Sequence, residues 1–354
     1  RSSLPVVANP RQQRINPKSV PAPSVASQLK AEQARQQAAQ KGKKKSGRPG
    51  LPPGVASVRK ATLGDWIGGM RLQTLPLAIA PVALGTATAY VLPHEETGDG
   101  WHWLRALACL AVAVFLQIGV NFANDYSDGV RGTDKFRSGP KRLTASGAAK
   151  PRTVLTVALV FFALAAAAGL VIVWRTGYWW LIAVGAVCIL AAWFYTGGKR
   201  PYGYAGLGEL FVFVFFGIVA TAGTTFVLAG TVTVESWLAG AAAGFIACAV
   251  LMVNNIRDLA QDKLAGKRTL AVRLGDRPAR IAYAVLLLLP FVILVFFTLF
   301  YANAYLVYFA LLAAVPAAGI TLSAKTAPEL VLALRLTALT ALAYGLGLGW
   351  AIAF

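Results

Sequence analysis

After its first sixty residues the chain divides into nine stretches of nearly unbroken apolar character, roughly 74–92, 103–123, 153–173, 179–196, 208–230, 237–254, 279–300, 304–322 and 331–353. Most run for about twenty residues, the length a helix rising about 1.5 Å per residue needs to cross a hydrocarbon layer about 30 Å thick. They are apolar nearly all round, with no polar face for water. Alanine and glycine recur through them, as in Ala163-Leu164-Ala165-Ala166-Ala167-Ala168-Gly169. Small residues let helices approach closely in lipid, where no hydrophobic force drives them together. The pattern predicts an all-α, polytopic membrane protein of about nine transmembrane helices bundled around a central cavity, with cap loops at one end.

Composition agrees: of 354 residues, 57% are hydrophobic and only 14% charged, which excludes an ordinary soluble domain. The net charge of +20 is unevenly placed. Residues 1–60 hold 13 Lys and Arg against one acid, Glu32, and are rich in Pro, Gln, Ala and Ser. Such a segment cannot bury enough apolar area to order itself, so 1–60 is expected to be a basic, disordered tail and 61–354 the transmembrane domain. The tail suits anionic lipid headgroups. No nucleic-acid partner is expected, because the basic residues are not interleaved with aromatics in the folded part. Lys and Arg concentrate in the tail and in 124–152, 197–206 and 254–280, whereas 93–100, 231–236 and 301–303 have none. The positive-inside rule then places the tail and the ends of spans two, four and six in the cytoplasm, in a cell membrane. Cys109, Cys188 and Cys248 all fall within apolar stretches and read as small core residues.

Two polar stretches break this pattern at the ends of spans two and six. The first is Asn121-Phe122-Ala123-Asn124-Asp125-Tyr126-Ser127-Asp128, running on to Asp134; the second is Asn254-Asn255-Ile256-Arg257-Asp258-Leu259-Ala260-Gln261-Asp262. Continuing a helix through each puts Asn124 and Asp128 on one face, and Asn254, Asp258 and Asp262 on another. Carboxylates beside bilayer-length apolar segments cost about 2.5–3.5 kcal/mol each to insert, so a cation must offset them. Hard oxygen donors without a His or Cys cluster point to Mg²⁺, which takes one or two carboxylates together with substrate phosphates. Two such stretches suggest ions holding a diphosphate between Asp125 and Asp128 on one side and Asp258 and Asp262 on the other. Taken singly, either stretch also reads as a helix cap or a solvated loop.

Basic residues follow each stretch: Lys135, Arg137, Lys141 and Arg142 after the first, Lys263, Lys267 and Arg268 after the second. They suit the remaining oxygens of a diphosphate, although the positive-inside signal alone also explains such residues. A third polar island, Tyr195-Thr196-Gly197-Gly198-Lys199-Arg200-Pro201-Tyr202-Gly203, links spans four and five, and Arg71 precedes Pro76 at the start of span one. The acid Glu209 lies just inside span five. Arg71, Asn121, Asn124, Arg137, Lys141, Arg142, Tyr195, Lys199, Asn254, Arg257 and Lys267 are thus the candidate substrate-binding residues.

The signatures Asn124-Asp125-x-x-Asp128 and Asp258-x-x-x-Asp262-x-x-x-Gly266 resemble those of the UbiA-type intramembrane prenyltransferases, over roughly residues 65–354. Within that family the likeness is to the branch acting on 1,4-dihydroxy-2-naphthoate. It is carried by Asn124 to Lys135, by Gly266-Lys267-Arg268-Thr269-Leu270-Ala271-Val272-Arg273-Leu274-Gly275, and by Lys199-Arg200-Pro201-Tyr202-Gly203-Tyr204 before Gly208-Glu209. Gly132 stands where many members of the wider family have a third Asp, with Asp134 two residues further on. The resemblance implies Mg²⁺-dependent transfer of a polyprenyl group from its diphosphate to the aromatic acceptor. The acceptor carboxylate is lost and demethylmenaquinone is formed. For that reaction, aromatics such as Phe122 and Tyr195 are expected to wall the allylic cation, and Arg71 or Lys199 to hold the acceptor carboxylate. Two other readings stand beside it: a relative acting on another acceptor, such as 4-hydroxybenzoate or homogentisate, and an ion-coupled transporter, since intramembrane carboxylates also mark those.

Overall fold

A computed structural model of the chain describes residues 60–92, 102–133 and 142–354; Asp134, Lys135, Arg137, Lys141 and nearly all of the basic tail lie outside the described residues. In chain order the helices are α1 (Leu63–Met70), α2 (Pro76–Tyr90), α3 (Trp103–Arg131), α4 (Pro151–Thr176), α5 (Leu181–Phe194) and α6 (Gly208–Ala229). There follow α7 (Val234–Arg257), α8 (Leu259–Leu264), α9 (Leu270–Leu274), α10 (Asp276–Phe300), α11 (Ala304–Ser323) and α12 (Ala327–Ala353). The described residues contain no strand.

Every apolar stretch of the sequence is a helix, but the expected nine spans are not reached. Among the described residues seven helices are long and apolar enough to cross a membrane, namely α3, α4, α6, α7, α10, α11 and α12. They become eight if α1, the turn Leu72–Thr74 and α2 count as one span bent by 46°. The bend falls where Arg71 takes a left-handed conformation (φ 53°) and Pro76 starts the next helix. The fourth stretch yields only the 14-residue α5, which ends at Phe194, shortly before the Gly197-Gly198 turn.

α7 is the axis of the bundle. Its most apolar window is 72% buried, against 28–50% for the other candidate spans, and it packs on α2, α6, α10 and α12. Small residues make this possible: a Cβ added at Gly217 of α6 would come within 2.5 Å of the Gly240 carbonyl oxygen and of the Gly244 Cα on α7. The backbones therefore touch, as expected where van der Waals contact is the main force between helices. Around Gly217, α6 widens into a π-helical segment, Phe213–Val219. Thr88, Thr225 and Ser236 hydrogen-bond to one another between α2, α6 and α7. Outside, large apolar side chains such as Trp174, Leu299, Phe300 and Leu312 are exposed. A surface of that kind suits hydrocarbon and is unfavourable in water.

Candidate active site

A cavity of about 580 Å³ runs inside the bundle. Its lining on α3 extends from Asp128 to Cys109, nineteen helical rises and so about 28 Å. One end is polar, with Arg71, Thr74, Gln117, Asn121, Asn124, Asp128, Arg142, Tyr204, Asn254, Asn255, Asp258, Gln261, Asp262 and Lys267 on its wall. The remainder is walled by apolar or small side chains, among them Val112, Gly169, Val184, Phe215, Gly223 and Val227.

The two polar stretches reach this cavity differently. α3 passes unbroken through the first and stops at Gly132 (φ 73°), so Gln117, Asn121, Asn124 and Asp128 share the cavity-facing side. α7 ends at Arg257; Asp258 leaves the helix (φ −94°, ψ 5°) and α8 begins at Leu259. The expected continuous helix through the second stretch is therefore bent at Asp258. The amide of Asp262 still donates to the Asp258 carbonyl at 2.8 Å, which keeps Asn254, Asp258 and Asp262 together on the cavity wall.

The centre of the site is Lys267. Its Nζ lies 3.5 Å from Asp128 Oδ1 and 3.7 Å from Asp262 Oδ1, so the two stretches meet within the span of one ammonium group. Arg142 approaches the other oxygen of Asp128, with NH2 3.6 Å from Oδ2. The Tyr204 hydroxyl donates to Asp128 Oδ1, and the Lys267 Nζ stands 4.6 Å from the centre of the Tyr204 ring. Burial, and after it the charge of Asp128, raise the Tyr204 phenol above its ordinary pKa, so it remains a donor at neutral pH.

Several expected roles change. Asp125 does not line the cavity: its two carboxylate oxygens accept the backbone amides of Leu143 and Thr144, each at 2.9 Å. It ties the segment after α3 back onto the helix. Arg257 likewise turns away from the cavity and forks onto Asp258, with Nε and NH2 each donating at 2.8 Å. In this structure it partners a carboxylate. Lys199 is exposed and off the cavity wall, in the turn at Gly197 and Gly198 that follows α5. Phe122 is fully buried against Trp66 and Phe161, so it forms no wall for a cation. Besides Tyr204, the aromatics on the cavity wall are Tyr195, Tyr202, Phe211, Phe215 and Phe216.

The other expected residues have defined places. Asn124 Oδ1 accepts from Thr196 Oγ1 at 2.7 Å, and Asn254 Nδ2 donates to the Val250 carbonyl at 3.0 Å. Asn121 Nδ2 donates to the Met70 carbonyl at 2.9 Å, and Gln117 Nε2 to Thr74 Oγ1 at 2.8 Å. Thr74 Oγ1 in turn donates to the Arg71 carbonyl at 2.9 Å. This chain of bonds fixes the left-handed turn that sets Arg71 on the cavity wall. Glu209 is buried beneath the site and accepts from Asn255 Nδ2 at 3.0 Å.

Sequence reasoning missed Tyr204 and Gln117 as site residues, and Arg131, which donates to the carbonyls of Thr196 and Gly198 and pins the α5–α6 turn to the end of α3. Gln117 was readable, being a lone polar residue four before Asn121 in an apolar span. Tyr204 was not, because only the tertiary fold brings it to Asp128.

Among the described residues no three His, Cys, Asp or Glu side chains cluster as a ready-made metal site. The donor set nevertheless fits Mg²⁺. Asp128 and Asp262 converge on a point already taken by a positive charge, and Asn124, Asn254 and Asp258 lie on the same wall. An ion that binds one or two carboxylates and completes its shell with water and phosphate needs no closed cage.

Known proteins place this architecture. The model of the UbiA prenyltransferase family matches residues 78–328. The 1,4-dihydroxy-2-naphthoate octaprenyltransferase of Mycobacterium tuberculosis is 48% identical over 296 residues, covering 83% of this chain and 98% of that protein. The Escherichia coli protein of the same name is 40% identical over 244 residues, covering 66% of this chain and 76% of that one. Among solved structures, a UbiA homologue from Aeropyrum pernix superposes with a TM-score of 0.60 at 16% identity, over 79% of this chain and 97% of that one. One from Archaeoglobus fulgidus bound to GPP and Mg²⁺ gives 0.55 at 16%, over 82% and 99%. Fold, motifs and family match agree, and the chain is a multi-pass membrane protein belonging to the UbiA prenyltransferase family.

Proposed function

We propose that the protein transfers a polyprenyl group from its diphosphate to a ring carbon of 1,4-dihydroxy-2-naphthoate. The carboxylate leaves as carbon dioxide, the diphosphate departs, and demethylmenaquinone forms in its quinol state. One observation carries this reading: Asp128 and Asp262, from separate helices, converge at the polar end of a cavity about 28 Å long whose far end is apolar. Such a site fits an amphiphile with an anionic head and a long hydrocarbon tail. Each CH₂ of the tail left in water costs about 0.8 kcal/mol, so the tail belongs in the apolar part and the head beside Lys267 and Arg142. The names of the mycobacterial and E. coli relatives support the acceptor.

Residues 61–354 form the catalytic domain, and 1–60 a cytoplasmic tail. The polar end of the cavity faces the cytoplasm, where the basic connections lie. Asp128, Asp262, Asp258, Asn124 and Asn254 would hold Mg²⁺. Bound there, the metal supplies Lewis-acid stabilisation of the negative charge that grows on the departing diphosphate. Lys267 and Arg142 add charge-assisted donors to the same oxygens. Tyr195, Tyr202 and Phe211 line the cavity close by and shield the allylic cation with their ring faces. Arg71, fixed by the Thr74 and Asn121 hydrogen bonds, holds the acceptor carboxylate until it is lost.

The test is mass spectrometry of the product made by purified full-length protein from dihydroxynaphthoate and a polyprenyl diphosphate. The expected product has lost carbon dioxide and gained one prenyl chain. Prenylation of 4-hydroxybenzoate or homogentisate instead would move the protein to another branch of the family, and counterflow in proteoliposomes without covalent product would make it a transporter.

A further inference from the structure

Lys267 stands between two carboxylates that would help hold the proposed metal. Its side chain is only 10% exposed, and those of Asp128 and Asp262 are 5% and 12% exposed. Two such carboxylates facing one point cannot both stay charged without a cation, and among the described residues Lys267 is the group that touches both. Its two ion-pair distances, 3.5 and 3.7 Å, exceed the roughly 2.7–2.9 Å of a tight ammonium–carboxylate bond. The charge is therefore shared between the acids and clamped to neither. The contrast with Arg257, whose planar fork grips Asp258 at 2.8 Å through two atoms, is one of chemistry as much as distance. An ammonium on a four-carbon stem can swing; a bidentate guanidinium cannot without breaking both bonds.

The backbone beneath Lys267 is anchored, since its amide donates to the Asp262 carbonyl at 2.9 Å and Gly266 before it takes a left-handed turn (φ 74°). Movement is thus confined to the side chain. The face of the Tyr204 ring gives the ammonium a third support at 4.6 Å, while the Tyr204 hydroxyl keeps Asp128 oriented whether or not the ammonium is present.

We infer that Lys267 is a displaceable internal counter-ion: without metal its ammonium holds the two acidic stretches together, and it yields that place to the divalent ion as the diphosphate binds. This rests on the metal–diphosphate reading of the cavity. The ammonium, released from between the carboxylates, then faces the diphosphate oxygens that arrive with the ion. The same side chain thereby opposes metal binding to the empty site and favours binding of the loaded diphosphate.

The experiment is Mn²⁺ binding by electron paramagnetic resonance on the full-length protein in detergent, without diphosphate, alongside thermal unfolding in EDTA and in saturating Mg²⁺. Lys267→Met should bind Mn²⁺ about tenfold more tightly than wild type, a coupling of ordinary size between neighbouring sites. It should melt at a lower temperature in EDTA, recover the wild-type midpoint in Mg²⁺, and show a raised KM for the prenyl diphosphate. Lys267→Arg should keep stability in EDTA and bind Mn²⁺ no tighter than wild type. A Lys267→Met protein that binds Mn²⁺ no better, or whose instability persists in Mg²⁺, would overturn the inference. If Lys267→Met can be purified only with divalent ion present, the inference stands; if divalent ion does not rescue it, the inference fails. Asp128→Asn separates the two levels: should wild type and Asp128→Asn bind Mn²⁺ equally, the metal reading itself is wrong.

Discussion

The two acidic stretches have similar sequences, yet the fold uses their carboxylates unequally. In each, one acid is committed to holding protein together and another faces the shared centre. On α3, Asp125 caps the amides of Leu143 and Thr144 while Asp128 turns to Lys267. After α7, Asp258 is gripped by Arg257 while Asp262 turns to Lys267. The difference lies in where the committed acid points: Asp125 is off the cavity wall and Asp258 is on it. Asp125 lies three residues before Asp128, at the edge of the face that Gln117, Asn121, Asn124 and Asp128 present, and the amides of Leu143 and Thr144 hold it off the cavity wall. Which aspartate of a signature motif faces the cavity is thus decided by the fold around it.

The comparison can be broken most severely at the shared centre. Chelation by EDTA should lower prenyl transfer by about a thousandfold or more, restored by added Mg²⁺, because the charge on the departing diphosphate would otherwise be unsupported. Activity that survives exhaustive chelation would remove the reason for pairing Asp128 with Asp262. Asp128→Asn and Asp262→Asn should each reduce turnover by about 10²–10³-fold with insertion intact, read by transfer of a labelled prenyl group.

The committed acids sharpen the contrast. Asp258→Asn should damage both properties, since it removes a cavity carboxylate and strands the Arg257 charge, a loss of about 3 kcal/mol when a buried pair is broken. Adding Arg257→Gln should recover part of the stability and none of the turnover. Asp125→Asn should cost about 1–3 kcal/mol of stability through the two amides it leaves poorly satisfied. Its effect on turnover should stay below about tenfold, exerted through the displaced segment that carries Arg142. If the melting temperature of Asp125→Asn is unchanged while turnover collapses, the division of labour drawn here between Asp125 and Asp128 is wrong.

Much of this was legible in the sequence because the bilayer enforces it. Unbroken apolar runs near twenty residues long have few fates other than helices, and all nine coincide with one. What the runs could not reveal was that α5 stops after 14 residues or that Arg71 bends the first segment by 46°. Those outcomes depend on turns whose geometry is decided by partners far along the chain. The pairing of Asp128 with Asp262 was legible as a pairing of motifs, since buried like charges require a common cation. The place of Lys267 between them was not, for it is one of several basic residues in its loop and only the tertiary fold selects it. Tyr204 is hidden for the same reason, being separated from Asp128 by 76 residues.

The smallest expected effect belongs to Lys199, which sequence reasoning placed among the substrate ligands. It follows Gly198, whose backbone is left-handed (φ 73°), and it is exposed and off the cavity wall. The same turn is held from below by Arg131 through the Thr196 and Gly198 carbonyls, so its course does not depend on the Lys199 charge. Lys199→Ala should therefore alter kcat/KM for either substrate by less than about twofold, the scale of a surface substitution of about 0.5 kcal/mol or less. Arg131→Ala, which frees the turn, should do more than Lys199→Ala by disturbing Thr196 and through it Asn124. A large rise in KM for the acceptor in Lys199→Ala, with Arg131→Ala silent, would mean that the turn folds inward when substrate binds and that Lys199 reaches the cavity after all.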